Sequence, residues 1–338
     1  MPEVRIDPLS GHRTIVAGER SRRPGGAPTL SDSERAPEPI DPERDPFAEG
    51  NEDRTPPELY AVRPGSDVAN SPGWRVRVVP NLYPALAPDT AGAESTAEGE
   101  AEGDGAGELL RALPATGVHE VIVNGPQPVL SLSELPLEQV AVAMDVWRER
   151  MRTHEQCAYV QLIVNERRHA GASLPHTHSQ LYGLQFVPAA VARERERAAE
   201  YATRTMGQNL LGDLVAEEVR LGERIVAIDD EAVLMAPYAS RLPFQLMLAP
   251  RRPLPRFEQD GPSGASLLHD GLRRLARHLG ASPPLNLWVR TAPRGAEHFC
   301  WRIDVVPRLT HLAGLELSTD VNLNIVAPEH AAALLREA

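Results

Sequence analysis

The residues with the most chemical potential lie between Asn165 and Gly183, in the run NERRHAGASLPHTHSQLYG. His176 and His178 stand two positions apart, preceded by Pro175 and followed by Ser179 and Gln180. On a β-strand, residues i and i+2 share a face, so both imidazoles would point the same way. Just upstream, Gly171, Ala172 and Ser173 are small enough for backbone N–H groups to approach a phosphate. Three readings suit this pattern. His-x-His can be two polar side chains on a wet sheet face. It can be part of a metal site, which needs further ligands that do not lie near in sequence. Or one imidazole can be a nucleophile at phosphorus, because the neutral ring attacks well near pH 7 and leaves well from a phosphoramidate.

Such residues need strands to hold them. Val118–Asn124 reads as a strand, followed by a helix from Leu137 to His154 with Leu137, Val140, Met144, Trp147 and Met151 on one face. Ser133 and Pro136 stand where a helix start would place them. Tyr159–Asn165 reads as a buried strand, and Leu181–Val187 as another after the Gly/His/Pro-rich turn. The second half repeats this grammar. Phe244–Leu248, Leu285–Arg290 and Trp301–Val306 are strands, and Leu268, Leu272, Leu275 and Leu279 form a helical stripe ended by Gly280. Each copy closes on a Val-Pro pair, Val187-Pro188 and Val306-Pro307. The pattern predicts an α+β fold with an internal duplication. No GxGxxG fingerprint accompanies it, which disfavours a dinucleotide-type doubly wound sheet.

Composition narrows the options further. With 338 residues the chain can bury one large core or two ordinary ones. It contains no lysine, so every one of its 35 basic residues is arginine. Schiff-base chemistry, a pyridoxal enzyme and a P-loop lysine are therefore excluded. A net charge of −12 disfavours sequence-independent nucleic-acid binding, although local arginines can still hold small anions. No apolar run nears the roughly 20 residues that span a bilayer, and the N-terminus has no signal-peptide pattern. Only Cys157 and Cys300 are present, too few for a disulfide framework. The expectation is a cytoplasmic protein without membrane or nucleic-acid partners. Residues 18–58 read as an irregular surface-wrapping segment, and residues 88–107, acidic and without aromatics, as a disordered insertion.

Several motifs, in order, resemble those of the galactose-1-phosphate uridylyltransferases of the histidine-triad superfamily. Pro175-His-Thr-His-Ser-Gln180 is similar to their His-Pro-His-x-Gln signature. Asp7 to Val16 resembles the family's "DPxTGxWxIxA", and Glu19 to Pro24 its "xRxxRP". Gly50 to Glu58 matches "GNExxTPPE", and Val79 to Leu86 "xxNxxPAL". Ala236–Leu248 and Thr291–Arg308 correspond in the second half. The resemblance implies two histidine-triad-like repeats, residues 1–195 and 196–338, with antiparallel sheets and helices packed on one face. It implies that His178 attacks the α-phosphorus of a nucleotide sugar and carries the nucleotidyl group, most simply UMP, to a hexose 1-phosphate. Adenylyl transfer, nucleotide-sugar phosphorolysis and non-catalytic nucleotide binding remain alternatives. By the same resemblance, Gln180 hydrogen-bonds the transferring phosphoryl group, and glutamine there favours transfer over hydrolysis. His176 counts with His178 and Gln180 among the catalytic residues. Asn165 and Ser173 contact phosphates, Arg20 and Arg23 lie near the nucleotide, and Asn81 lies near base and ribose. The implied partners are a nucleotide sugar, a sugar phosphate and a second copy of the chain.

The metal ligands depart from the family pattern. Where relatives carry Cys-x-x-Cys before "GNE", this chain has Asp45 and Ala48, and a family histidine is replaced near Pro128. Only His176 survives from that set. The second family site, an "HxH" near the C-terminus and a "PKxH", reads Cys300-Trp-Arg302 and Pro250-Arg-Arg-Pro253. The expectation is therefore no metal and no cofactor.

Overall fold

The computed structural model describes residues 2–22, 28–36, 38–66, 68–88, 110, 112–261 and 263–338. Apart from Pro88, the acidic stretch 88–107 lies outside them, as does Arg23. The strands are β1 (Glu3–Ile6), β2 (Arg13–Val16), β3 (Tyr60–Val62), β4 (Val76–Pro80), β5 (Gly117–Val123), β6 (Tyr159–Glu166), β7 (His178–Leu184), β8 (Ile225–Ile228), β9 (Ala232–Met235), β10 (Leu246–Pro250), β11 (Leu285–Arg290), β12 (Arg302–Pro307) and β13 (Asn322–Asn324). The helices are α1 (Asp32–Arg35), α2 (Leu137–Thr153), α3 (Ala189–Arg204), α4 (Leu210–Leu221), α5 (Ala265–Leu279), α6 (Gly314–Thr319) and α7 (Pro328–Glu337).

Among the described residues, ten strands form one sheet in the order β3-β4-β5-β7-β6-β11-β12-β10-β9-β8, and β1, β2 and β13 form a small second sheet. Every ladder of the large sheet is antiparallel. Outward from the central β6–β11 pair, one side runs β7, β5, β4, β3 and the other β12, β10, β9, β8. The two runs are the same topology written twice. α2 joins β5 to β6 just as α5 joins β10 to β11. The division at 195/196 falls inside α3, and the sheet continues unbroken through the β6–β11 ladder.

Alternation sorts each strand into two faces. Val160, Leu162 and Val164 of β6, with Leu181 of β7 and Leu287 and Val289 of β11, point toward α2 and α5. There they meet Val140, Met144, Trp147 and Met151 of α2 and Leu268, Leu272 and Leu275 of α5, all nearly inaccessible. Apolar burial of this kind contributes about 25 cal/mol per Å², so this layer supplies the main driving force for folding. α3 and α4 are absent from the sequence reading. α4 places Leu211 and Val215 against Val233, Met235 and Met247 on the opposite sheet face. Two boundaries differ in an informative way. β7 begins at His178, three residues before the expected Leu181. Phe244 has φ +58, a left-handed conformation that a strand cannot contain, so β10 starts only at Leu246. Among the described residues, no helix is long and apolar enough to cross a membrane.

Candidate active site

β7 is inserted between β5 and β6, pairing His178 with Val123, Gln180 with Val121 and Tyr182 with His119. On the other side, Ser179 pairs with Val164, which sets Asn165 one step further along β6, beside His178. The alternate residue Ser179 is pinned from beneath. Its Oγ donates to Asn124 Oδ1 (2.8 Å), which also accepts from Trp147 Nε1 of α2 (3.1 Å). With Ser179 locked toward the helices, His178 and Gln180 must face the other way.

The upstream turn is shaped by backbone constraint. Arg167 adopts φ +65, unusual for a non-glycine residue, and its guanidinium is held by Glu38 and the carbonyls of Ala36 and Ser282. Gly171, at φ +93, then turns the chain into the small-residue segment. Ser173 is exposed at its tip.

His178 is buried. Its Nδ1–H donates to the His176 carbonyl (2.8 Å), which fixes the tautomer and leaves the Nε2 lone pair available. Phe47 packs over the ring at 5.1 Å between centroids, within an apolar patch that includes Trp74, Val79, Val121 and Val123. Burial holds the imidazole below its ordinary pKa, against the opposing pull of the His176 carbonyl. A pKa held below the ordinary imidazole value leaves the ring neutral at pH 7.

His176 plays a different part. It is fully buried, with Nδ1 2.6 Å from Asp45 Oδ2 and Nε2 2.8 Å from the Gly125 carbonyl. Asp45 is itself placed by accepting from the Phe47 N–H, and Asn51 of the "GNE" segment ties that loop through the Asp45 and Pro42 carbonyls. Both nitrogens of His176 are thus already partnered within the protein. At the second family site, Arg302 brings a guanidinium where a ligand would stand, bound to Glu194 (2.9 and 3.1 Å) and Asp304 (2.9 Å). The residues do not fit a metal at either place. Among the described residues, no group of three His, Cys, Asp or Glu side chains could hold one.

Of the residues singled out in the sequence, the fold brings together His176, His178, Gln180 and Asn165. Asn81 approaches through His119, with Nδ2 3.0 Å from its Nε2. Arg20 is exposed on the 3-10 turn Gly18–Arg22 and takes no part in these hydrogen bonds. Sequence reading missed His119, Tyr182, Asn286 and Phe47. Tyr182 was within reach, because it extends the His178–Gln180 alternation by one step.

A family model described as "Galactose-1-phosphate uridyl transferase, N-terminal domain" matches residues 1–188, more than half of the chain. The chain belongs to this family. A second model, of a domain of unknown function, covers residues 133–337. An ADP-glucose phosphorylase of Arabidopsis thaliana is 28% identical over 99% of this chain and 93% of its own. A galactose-1-phosphate uridylyltransferase of Cryptococcus neoformans is 26% identical over 78% of this chain and 74% of its own. Among solved structures, an Arabidopsis thaliana ADP-glucose phosphorylase with bound ADP-glucose superposes with TM-score 0.79 at 25% identity, covering 100% of this chain and 99% of that one. Like its uridylyltransferase relatives, this protein is a nucleotidyltransferase-type enzyme with the family's α+β architecture.

Proposed function

We propose that the protein moves a nucleoside monophosphate from a nucleotide sugar to a phosphate-bearing acceptor through a covalent intermediate on His178. The observation that carries this reading is the buried His178 ring, whose Nδ1–H is committed to the His176 carbonyl while Nε2 keeps its lone pair. Nε2 attacks the α-phosphorus, a P–N bond forms, and the bond to the bridging oxygen breaks, releasing a hexose 1-phosphate. An acceptor phosphate oxygen then attacks the same phosphorus and returns the electron pair to Nε2. The His176 carbonyl stabilises the positive ring that exists between the two steps. Because burial lowers the His178 pKa, protonation of Nε2 is postponed to below the ordinary value of about 6.5. Gln180 and Asn165 supply donors to the equatorial oxygens, where charge develops. Arg20, Arg23, Ser173 and Asn81 complete the substrate contacts in this reading.

For the donor, the end-to-end similarity to ADP-glucose phosphorylase favours an adenylyl group, with inorganic phosphate as acceptor. UMP transfer between UDP-glucose and a hexose 1-phosphate is the second reading, favoured by the uridylyltransferase relatives. A homodimer and a cytoplasmic setting belong to the same proposal. The test is to incubate the protein with ADP-glucose or UDP-glucose, without acceptor, and read intact mass in mild alkali. An adenylyl adduct with ADP-glucose alone supports the first reading, and a uridylyl adduct the second. Saturable binding of both sugars with no adduct overturns covalent transfer.

A further inference from the structure

Gln180 and Asn165 can serve the phosphoryl group only if their amides present N–H rather than C=O, and an amide alone is indifferent to a half-turn. The hydrogen bonds behind them remove that freedom. Asn286 of β11 points Nδ2 at the Ala170 carbonyl (2.8 Å) and at Asn165 Oδ1 (2.8 Å). A backbone carbonyl only accepts, so it fixes which end of Asn286 lies there, and Asn165 must answer with its oxygen. Gln180 Oε1 lies 2.8 Å from the Tyr182 hydroxyl and 3.0 Å from His119 Nε2.

The His119 tautomer follows from its other nitrogen. Nδ1 lies 3.1 Å from the Ala85 N–H, which only donates, so the proton of the neutral ring sits on Nε2 and faces Gln180. The opposite tautomer would keep the contact with Asn81 Nδ2 but would set an Nδ1–H against the Ala85 N–H, donor against donor. Asn81 Oδ1 is already occupied by the Tyr83 N–H. Burial keeps the His119 pKa below the ordinary imidazole value, consistent with a neutral ring. The ring also stacks on Tyr182, at 4.1 Å between centroids.

We infer that His119, Tyr182 and Asn286 are positioning residues that engage the oxygens of Gln180 and Asn165, so that both amide NH2 groups face the phosphoryl group on His178. The inference rests on His178 being the nucleotidyl carrier. In this arrangement the donors are oriented before substrate arrives, which is how fixed dipoles gain catalytic value. None of the three positioning residues need touch the substrate.

The test combines His119→Phe with Tyr182→Phe, which retains the ring stack and removes both donors to Gln180 Oε1. The rate of adduct formation on mixing with ADP-glucose or UDP-glucose is followed by quenched-flow mass analysis, with donor affinity measured separately. The double variant should form adduct about 10- to 100-fold more slowly. Donor affinity should stay within about threefold, since the positioning matters for a charge that develops only in the transition state. In a Gln180→Ala background the same two substitutions should have little further effect, because their partner is gone. An undiminished rate in the double variant overturns the inference alone, and so does a loss that persists in full without Gln180. Absence of adduct in the unsubstituted protein overturns the His178 reading itself, and this inference with it.

Discussion

The two halves of the large sheet share one topology and put it to opposite uses. β7 opens with His178 and carries Gln180 two residues on, and β12 opens with Arg302 and carries Asp304 two residues on. In the first half the strand presents a neutral imidazole, with neutral amides beside it. In the second half the corresponding side chains close on one another, with Arg302 bound to Glu194 and Asp304 and Arg290 also facing Glu194 at 3.5 Å. The same scaffold therefore holds one neutral polar cluster and one charged cluster whose ions pair with each other. The difference lies in whether the side chains at the start of the strand are paired with neighbouring ions. His178 and the amide nitrogens of Gln180 and Asn165 keep capacity for a ligand, whereas the Arg302 cluster spends its capacity on structure.

The largest expected contrast comes from paired substitutions. His178→Gln should abolish adduct formation while leaving the thermal midpoint within about 2 °C, since it removes a nucleophile and little packing. Arg302→Met should do the reverse. It strands Glu194 and Asp304 in the interior and should lower stability by about 3–5 kcal/mol in urea titrations. At a temperature where it is still folded, it should form adduct at a near-normal rate. Loss of adduct in folded Arg302→Met would show that the second half acts in chemistry after all.

A smaller effect tests the ends of the two central strands. Glu166 closes β6, and burial raises its carboxyl to about 7, only partly offset by the Leu132 N–H. Thr291, just after β11, is an uncharged hydroxyl that donates to Glu258. Because the Glu166 pKa is raised in the folded state, its protonated form binds the fold better. Its contribution is present at acid pH and is lost as pH rises from about 4.3 toward about 7. Glu166→Gln should therefore match the parent protein near pH 4 and exceed it in stability above pH 7, by on the order of 3 kcal/mol at most. Equal stability of the two proteins at pH 8 would contradict this assignment.

What the sequence disclosed follows from how each feature is encoded. α2 and the strands β5, β6 and β11 were legible because large apolar residues mark their periods. α3 was not, because its buried stripe is Val191, Glu194, Ala198 and Ala202, in which alanine and a paired carboxylate carry the helical repeat. The start of β7 was obscured because its first residues, His178 and Ser179, are polar yet buried and carry no hydrophobic signal. At the site, His176, His178 and Gln180 form a local word in the chain and could be read directly. His119 could not, since its role depends on Ala85 and Gln180, brought to it by the folding of distant segments. Asp45 read as a missing ligand, whereas the fold gives it a direct bond to His176.

The most direct experiment uses protein labelled with 15N-histidine, exposed to nucleotide sugar without acceptor. Phosphorus–nitrogen coupling and peptide mapping then locate the nucleotidyl group. It should be on Nε2 of His178, with Nδ1 still carrying its proton toward the His176 carbonyl. Attachment to Nδ1, to His176 or to any other residue, or turnover that never populates a His178 adduct, would contradict the mechanism.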